Sequence, residues 1–185
     1  HAYSGLELLP YSIRCIRAHV DHVAVVYQER GSNERHGKWI HYGIREYLRA
    51  LEDMGLIDSV ECRNPEPGEV PKAVETDKRN LGFEMLRAAG CTHGLSMDVD
   101  EMYWPDQFAE VKRRVEKADA DPAIVQYVNH YRIPGWLMVN PQPLYVSHIA
   151  RLDGRQFAHR GVEFPVVVDP SRRLPAGKAL MIPPK

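Results

Sequence analysis

"THGLSMDVDEMYWPDQF", residues 92–108, runs from an apolar stretch through a cluster of acids into the start of a helix. The acids of this cluster are Asp98, Asp100 and Glu101. The apolar stretch predicts a buried strand, and the helical spacing of residues 105–119 predicts the helix that follows it. In open α/β sheets, ligands bind outside the carboxyl ends of the strands. The stretch therefore predicts an α/β sheet with acidic side chains at its functional edge.

Outward from this stretch, segments of helical and of strand-like period alternate along the chain. The predicted helices cover residues 7–20, 40–55, 75–90 and 105–119. The predicted strands between them cover residues 22–29, 57–63 and 91–101. Further strands are predicted over residues 123–133, 136–139, 144–152 and 165–169. This order predicts a mostly parallel central sheet flanked by helices, with an antiparallel C-terminal extension.

Composition narrows the class of protein. A chain of 185 residues that is 44% hydrophobic can bury the core of one domain. A net charge of -1 and a pI near 6.8 give no strong nucleic-acid signal. No apolar run approaches the ~20 residues of a membrane span, and three cysteines without a CxxC pair favour reduced thiols. We therefore expect a cytoplasmic protein without a membrane span.

The acid cluster suits a hard divalent cation. If Asp98 and Asp100 belong to the end of a strand, alternation sends both carboxylates to the same side. Magnesium takes one or two protein carboxylates and receives its other ligands from water and substrate phosphates. The alternative is a solvated loop between strand and helix, in which Asp100 or Glu101 caps the helix.

Four segments resemble glycosyltransferases of the GT-A fold, family 2, and they occur in the family's order. They are "VDHVAVVYQERGSNE", "DKRNLGFEMLRAAGCTHGLSMDVDE", the DxD segment "MDVDEMYWPDQF" and "FPVVVDPSRRL". The resemblance covers residues 7–173. It implies a Rossmann-like GT-A fold and a single GT-A-like domain over residues 1–185.

The resemblance also implies roles for individual residues. The nucleotide-sugar, a UDP-sugar by preference, would be bound by Gln28, Glu29, Asp77, Lys78, Arg79, Asn80 and Asp98. Asp98 and Asp100 would hold Mn²⁺ or Mg²⁺, with Asp100 ligating the metal that bridges the diphosphate. Inversion at the sugar requires a separate carboxylate base, for which Asp169 at a predicted strand end is preferred over Asp153 and Glu163.

Two features depart from the family's pattern. No strand-like segment precedes residue 7, and the chain does not show the histidine-rich segment that supplies a further metal ligand in relatives. His148 and His159 follow the DxD and could substitute, although a single histidine beside a strand usually has a structural role. These departures predict a domain truncated at one or both ends.

The resemblance and the acid cluster together predict a metal-dependent glycosyltransferase that moves a sugar from a nucleotide-diphosphate donor to an acceptor hydroxyl. A nucleotidyltransferase would also place carboxylates and a metal beside a nucleotide, but a Gly-rich phosphate loop is not visible in the sequence. A non-catalytic module that binds a nucleotide-sugar or a divalent ion is the other alternative. The sequence does not decide whether the acceptor is a sugar, a lipid, a protein or a modified nucleobase.

Overall fold

A computed structural model describes residues 6–30, 43–119, 121–126, 144–158, 167–168 and 180–182. The helices in these ranges are α1 (Leu9–Ile16), α2 (Ile44–Asp53), α3 (Pro71–Ala88) and α4 (Pro105–Ala118), and a 3₁₀ turn, Arg17–His19, follows α1. The strands are β1 (Ala24–Tyr27), β2 (Ser59–Cys62), β3 (His93–Leu95), β4 (Ala123–Gln126), β5 (Leu144–Ser147), β6 (Ile149–Arg151), β7 (Val167–Val168) and β8 (Leu180–Ile182). The predicted mixed α/β class is confirmed.

The described strands form three small sheets. In the first, β1 pairs with β2 in parallel, and in the second β3 pairs with β6 in antiparallel orientation. The third has the order β7-β5-β4-β8, with β4 and β5 antiparallel and the two outer pairs parallel. One continuous central sheet was predicted, whereas within the described ranges β1 and β3 each pair on one side only. The specific GT-A arrangement stays a prediction.

Strand boundaries differ from the predictions in the C-terminal part. Residues 144–152 were predicted as one strand. The structure has two strands there: β5 ends directly before His148, β6 begins directly after it, and they belong to different sheets. The backbone N–H of His148 donates to the carbonyl of Ala123 at 2.7 Å, outside the ladder of either strand. The C-terminal sheet is also not purely antiparallel, because β8 pairs with β4 in parallel. Residues 136–139, predicted as a strand, lie outside the described ranges.

One face of the β1–β2 pair is covered by α1 and α2. The shared core contains the buried side chains of Leu9, Ile13, Tyr27, Ile44, Leu48, Leu51, Leu56 and Ile57. Val23 and Val25 pack against the same core, which is the alternation expected of a strand whose odd-numbered side chains share one face. Helices α1 and α2 therefore lie on the same side of β1 and β2.

The opposite face is covered by α3. A Cβ placed on Gly82 would lie 3.6 Å from Val26 Cγ2, so the helix approaches β1 closely at this glycine. Further along the same helix, Phe83 packs with Ala150 of β6 and with Phe157. A third core joins α4 to the strands through Val115, Ala123, Ile149 and Ile182. Among the described helices, none combines the length and apolar character needed to cross a membrane.

Candidate functional site

A polar cavity of about 150 Å³ lies at the carboxyl ends of β1 and β3, against α3. Its polar lining consists of Gln28, Glu75, Lys78, Arg79, Ser96 and Asp98. Gln28 follows β1 directly, and Ser96 and Asp98 follow β3. On α3, Lys78 and Arg79 follow Glu75 by three and four residues, which places both beside Glu75 on the helix surface. The fold thus brings together four of the sequence-predicted residues: Gln28, Lys78, Arg79 and Asp98.

Arg79 is the centre of the hydrogen-bond network in this cavity, and only 8% of the residue is exposed. Its Nη1 donates to Ser96 Oγ at 2.8 Å, and its Nη2 donates to Glu75 Oε1 at 3.0 Å. The same Nη2 donates to both carboxylate oxygens of Asp98, at 3.1 and 3.2 Å. Since a guanidinium carries several donors in a rigid plane, one side chain can fix the three acceptors relative to each other.

Lys78 supplies a second cation, which is half-buried. Its Nζ donates to Gln28 Oε1 at 2.9 Å, and Gln28 Nε2 donates to the carbonyl of Arg30 at 3.0 Å. Burial lowers the pKa of Lys78 below the usual value for a lysine, while the negative charge of Glu75 opposes this shift. The cavity therefore contains an ammonium group that has lost part of its hydration, and an incoming anion would stabilise it.

The two acids of the DxD differ in environment. Asp98 is ion-paired with Arg79 and its side chain is 29% exposed, whereas Asp100 is exposed to solvent. Because β3 ends at Leu95, both acids lie in the loop after the strand, so the predicted alternation within a strand does not apply to them. Glu101 N–H donates to the carbonyl of Asp98 at 3.1 Å, which makes this loop a turn.

The acids fit a divalent cation to different degrees. Asp100 is an exposed carboxylate at the loop, and oxygen ligands of this kind suit Mg²⁺ or Mn²⁺. Asp98 fits such a role less well, since both of its oxygens accept from a guanidinium. Within the described part of the chain, no three Asp, Glu, His or Cys side chains converge on one point.

Three other predicted nucleotide-binding residues do not line this cavity. Glu29 accepts from Arg45 Nε at 2.5 Å, and Asp77 accepts from Arg63 Nη2 at 3.0 Å. Asn80 uses its amide oxygen and nitrogen to bind the backbone N–H and C=O of Phe157, at 2.7 and 3.1 Å. Their roles toward a nucleotide stay predictions, while their present partners are side chains and backbone of the protein itself.

The candidates for the catalytic base and for the further metal ligand are spread over the C-terminal part. Asp169, Glu163 and His159 lie outside the described residues. Asp153 accepts from the backbone N–H and from the Nε of Arg155, at 3.2 and 2.9 Å. His148 is buried, and its ring centroid lies 5.0 Å from Tyr103 and 5.9 Å from Phe108. These contacts place His148 in an aromatic cluster of the interior.

Sequence reasoning missed two members of the cavity, Glu75 and Ser96. Glu75 precedes Arg79 by four residues on a predicted helix, and this spacing of opposite charges is a recognised signal for a side-chain pair. It also accepts from Lys72 Nζ at 2.9 Å, so two cations compensate its buried carboxylate. Ser96 precedes Asp98 by two residues, directly after β3.

Comparison of the chain with protein families, with curated proteins and with solved structures finds no match.

Proposed function

We propose that this chain is a metal-dependent glycosyltransferase that moves a sugar from a nucleotide-diphosphate sugar to an acceptor hydroxyl. One observation carries the proposal: a partly dehydrated ammonium, Lys78, and the first carboxylate of the DxD segment, Asp98, line one cavity at the carboxyl ends of two strands. A donor of this kind offers a diphosphate for the cation and several hydroxyls for the carboxylates. A UDP-sugar is the donor that the sequence resemblance favours.

The cation side of the site would bind the diphosphate. Burial of Lys78 disfavours its charged form, and a phosphate oxygen nearby would favour that form again. A charge-assisted contact between ammonium and phosphate is worth about 1.5–3 kcal/mol net. Gln28 accepts from the same ammonium and thereby holds it at the carboxyl end of β1.

The anion side of the site would orient the donor's hydroxyl groups. A carboxylate offers about four acceptor positions on its two oxygens. Arg79 donates to both oxygens of Asp98, and a ribose or sugar hydroxyl would be a further donor to this carboxylate. Since Arg79 is itself fixed by Glu75 and Ser96, the carboxylate is preorganised before a ligand binds.

Asp100 is the residue that would hold Mn²⁺ or Mg²⁺, and the cation would neutralise charge on the leaving diphosphate. Transfer with inversion further requires a carboxylate that deprotonates the acceptor, and Asp169 stays our prediction for it. Asp98 is proposed to position hydroxyl groups of the donor. Its negative charge would also favour the binding of the cation.

A donor screen tests the proposal. The full chain is heated with UDP, UDP-sugars and the corresponding ADP, GDP and CDP compounds, each with and without Mn²⁺. A donor at a hundred times its dissociation constant should raise the unfolding free energy by about 2.7 kcal/mol. Release of free sugar or transfer to an added hydroxyl then separates an enzyme from a binding module. If no nucleotide-diphosphate compound stabilises the chain in Mn²⁺, the proposal is wrong.

The metal assignment is tested with Asp100→Asn, which keeps the shape of the side chain and removes its charge. We expect the variant to lose the part of donor affinity that depends on Mn²⁺. Asp106→Asn is the matched control, because Asp106 is also an exposed acid and lies in the first turn of α4. Equal metal dependence in Asp100→Asn and in the unchanged chain would place the cation elsewhere.

A further inference from the structure

Strands β1 and β2 end side by side, so the residues that follow them meet at the carboxyl edge of the pair. The parallel register places Tyr27 opposite Cys62. The ladder continues for one residue, since the backbone N–H of Arg63 donates to the carbonyl of Tyr27 at 2.9 Å. The turn that follows β1, residues 28–30, therefore lies beside Asn64.

The side chain of Asn64 fixes the backbone of this turn. Its Oδ1 accepts from the backbone N–H of Glu29 at 2.8 Å and from the backbone N–H of Arg30 at 3.2 Å. Two successive peptide N–H groups that converge on one oxygen form a concave turn around it. Because one side-chain oxygen receives both donors, we expect the conformation of residues 28–30 to depend on it.

The same turn carries Gln28, whose side-chain amide is held on both sides. Gln28 Nε2 donates to the carbonyl of Arg30 at 3.0 Å, and Gln28 Oε1 accepts from Lys78 Nζ at 2.9 Å. Only 3% of Gln28 is exposed, so its side chain has little room to move independently of the backbone. A displacement of the Arg30 peptide would therefore move the amide that accepts from the ammonium.

Asn64 is in turn presented from a fixed backbone. Arg63 Nη1 donates to the carbonyl of Asn64, and Arg63 Nη1 and Nη2 donate to the carboxylate of Glu69, at 3.2 and 2.7 Å. Both partners of this ion pair are partly buried. The segment between β2 and α3 thus holds the amide of Asn64 against the turn after β1.

We propose that Asn64 is a positioning residue of the polar cavity: it fixes the turn after β1, and this turn holds Gln28 against the ammonium of Lys78. Gln28 and Lys78 line the cavity, whereas Asn64 does not and acts through Gln28. The ammonium held in this way would receive an anionic group such as a diphosphate. That use of Lys78 rests on the proposed function, but the positioning of its ammonium does not.

The titration of Lys78 in the full chain, without any nucleotide, tests the proposal. The chain carries an NMR label at the ε carbon of its lysines, and the Lys78 signal is identified by its loss in Lys78→Met. The charged side chains that influence this ammonium are Glu75, Arg79, Asp98 and Arg63. Asn64→Ala alters none of these charges, so a change in the titration reports the position or hydration of the ammonium.

In Asn64→Ala the turn loses its acceptor, Gln28 is released, and water takes its place beside the ammonium. Burial is the largest cause of the lowered pKa of Lys78. We therefore expect the pKa of Lys78 to rise toward its ordinary value of 10.5 in this variant.

Amide hydrogen exchange shows whether the turn itself responds. The amides of Glu29 and Arg30 should exchange about five- to tenfold faster in Asn64→Ala than in the unchanged chain. Asn64→Asp keeps an acceptor oxygen at the same place and should leave both amides slow. The amide of Leu152, at the end of the β3–β6 pair, is the internal reference.

Two further variants test the route from Asn64 to the ammonium. Pro67→Ala, at an exposed position of the same segment, is the control and should leave the pKa of Lys78 unchanged. In a Gln28→Met chain, Asn64→Ala should add no further change, because the side chain that transmits its effect is gone. If Asn64→Ala does not fold, Asn64→Gln takes its place, since it stays neutral and moves the acceptor oxygen by one carbon.

The proposal is overturned if the neutral variants of Asn64 leave the pKa of Lys78 unchanged or if Pro67→Ala changes it equally. It is also overturned if the effect persists in the Gln28→Met chain, or if Asn64→Asp speeds exchange at Glu29 and Arg30 as much as Asn64→Ala. Because the titration and the exchange involve no nucleotide, failure of this proposal is distinguishable from failure of the proposed glycosyltransferase activity.

Discussion

At the scale of single residues, the candidate site depends on two cations with different roles, Arg79 and Lys78. Arg79 is buried, and its Nη1 and Nη2 donate to three side chains of the protein, so it organises the cavity. Lys78 is partly dehydrated, and Gln28 accepts from its ammonium. The family resemblance implied both residues as site residues, because they match its segment on the helix before the DxD. It could not distinguish their duties, because the difference depends on Ser96 and Gln28, which approach from two other elements.

Because Arg79 holds Glu75, Ser96 and Asp98 in place, we expect its replacement to lower the unfolding free energy of the protein. Arg79→Ala removes a cationic partner of both Asp98 and Glu75, and breaking such a buried pair costs about 3–5 kcal/mol. Urea denaturation should show a loss near the lower limit, because Lys72 still compensates Glu75. Arg113→Ala is the control, since this arginine is exposed and forms its ion pair with Glu110 on its own helix. If both variants unfold at the same urea concentration, Arg79 does not organise the cavity.

The lowered pKa of Lys78 predicts a rise of stability with pH. Its folded pKa lies below the unfolded value of 10.5, so between the two the unfolded chain binds more protons. The contribution of Lys78 to the unfolding free energy therefore increases as pH rises through the folded pKa toward 10.5. Lys78→Met removes the titration. Between the folded pKa of Lys78 and pH 10.5, the unfolding free energy of the unchanged chain should rise relative to that of Lys78→Met. A difference between the two chains that does not depend on pH would contradict the lowered pKa.

At the scale of elements, helices were predicted better than strands. Helix α4 was predicted over residues 105–119 and covers Pro105–Ala118, because proline at its start and the apolar period both act locally. Helix α3 begins at Pro71, four residues before the predicted start, because a proline suits the first turn of a helix. Strand β8 was not predicted, because three residues beside prolines carry no period of their own.

The packing of α3 on the strands predicts opposite effects of two alanine substitutions. A Cβ at Gly94 of β3 would lie 2.9 Å from Phe83 Cε1 and 3.0 Å from Leu152 Cδ2, and overpacking of this kind costs about 1–3 kcal/mol. A Cβ at Gly82 would lie at an ordinary 3.6 Å from Val26, and alanine within a helix gains about 0.5–1 kcal/mol over glycine.

Thermal unfolding of both variants checks this pair. Gly94→Ala should lower the midpoint and Gly82→Ala should hold or raise it. Loss of stability in Gly82→Ala would mean that α3 lies closer to β1 than described. An unchanged midpoint in Gly94→Ala would mean that the aromatic and leucine side chains around β3 can move aside without cost.

At the scale of the whole molecule, α3 is the element that connects the parts. It packs on β1 through Gly82, on the β3–β6 pair through Phe83, and on the segment after β6 through Asn80. Sequence period revealed the helix but not these contacts, which join residues between 56 (Gly82 and Val26) and 77 (Asn80 and Phe157) positions apart. The division into three sheets was equally hidden, because strand pairing is a non-local property and a strand's period is the same at an edge and in the interior.

The connection through Asn80 gives a prediction that separates structure from ligand binding. Asn80→Ala leaves the N–H and C=O of Phe157 without their side-chain partners, and unsatisfied groups of this kind cost about 1–3 kcal/mol each when buried. We expect lower stability in urea and faster amide exchange at Phe157. Asp77→Asn on the same helix is the control, since Asp77 is exposed and should change stability little. If Asn80→Ala instead keeps its stability and weakens donor binding tenfold or more, the amide serves the nucleotide, as the sequence resemblance implied, and the connection to Phe157 is secondary.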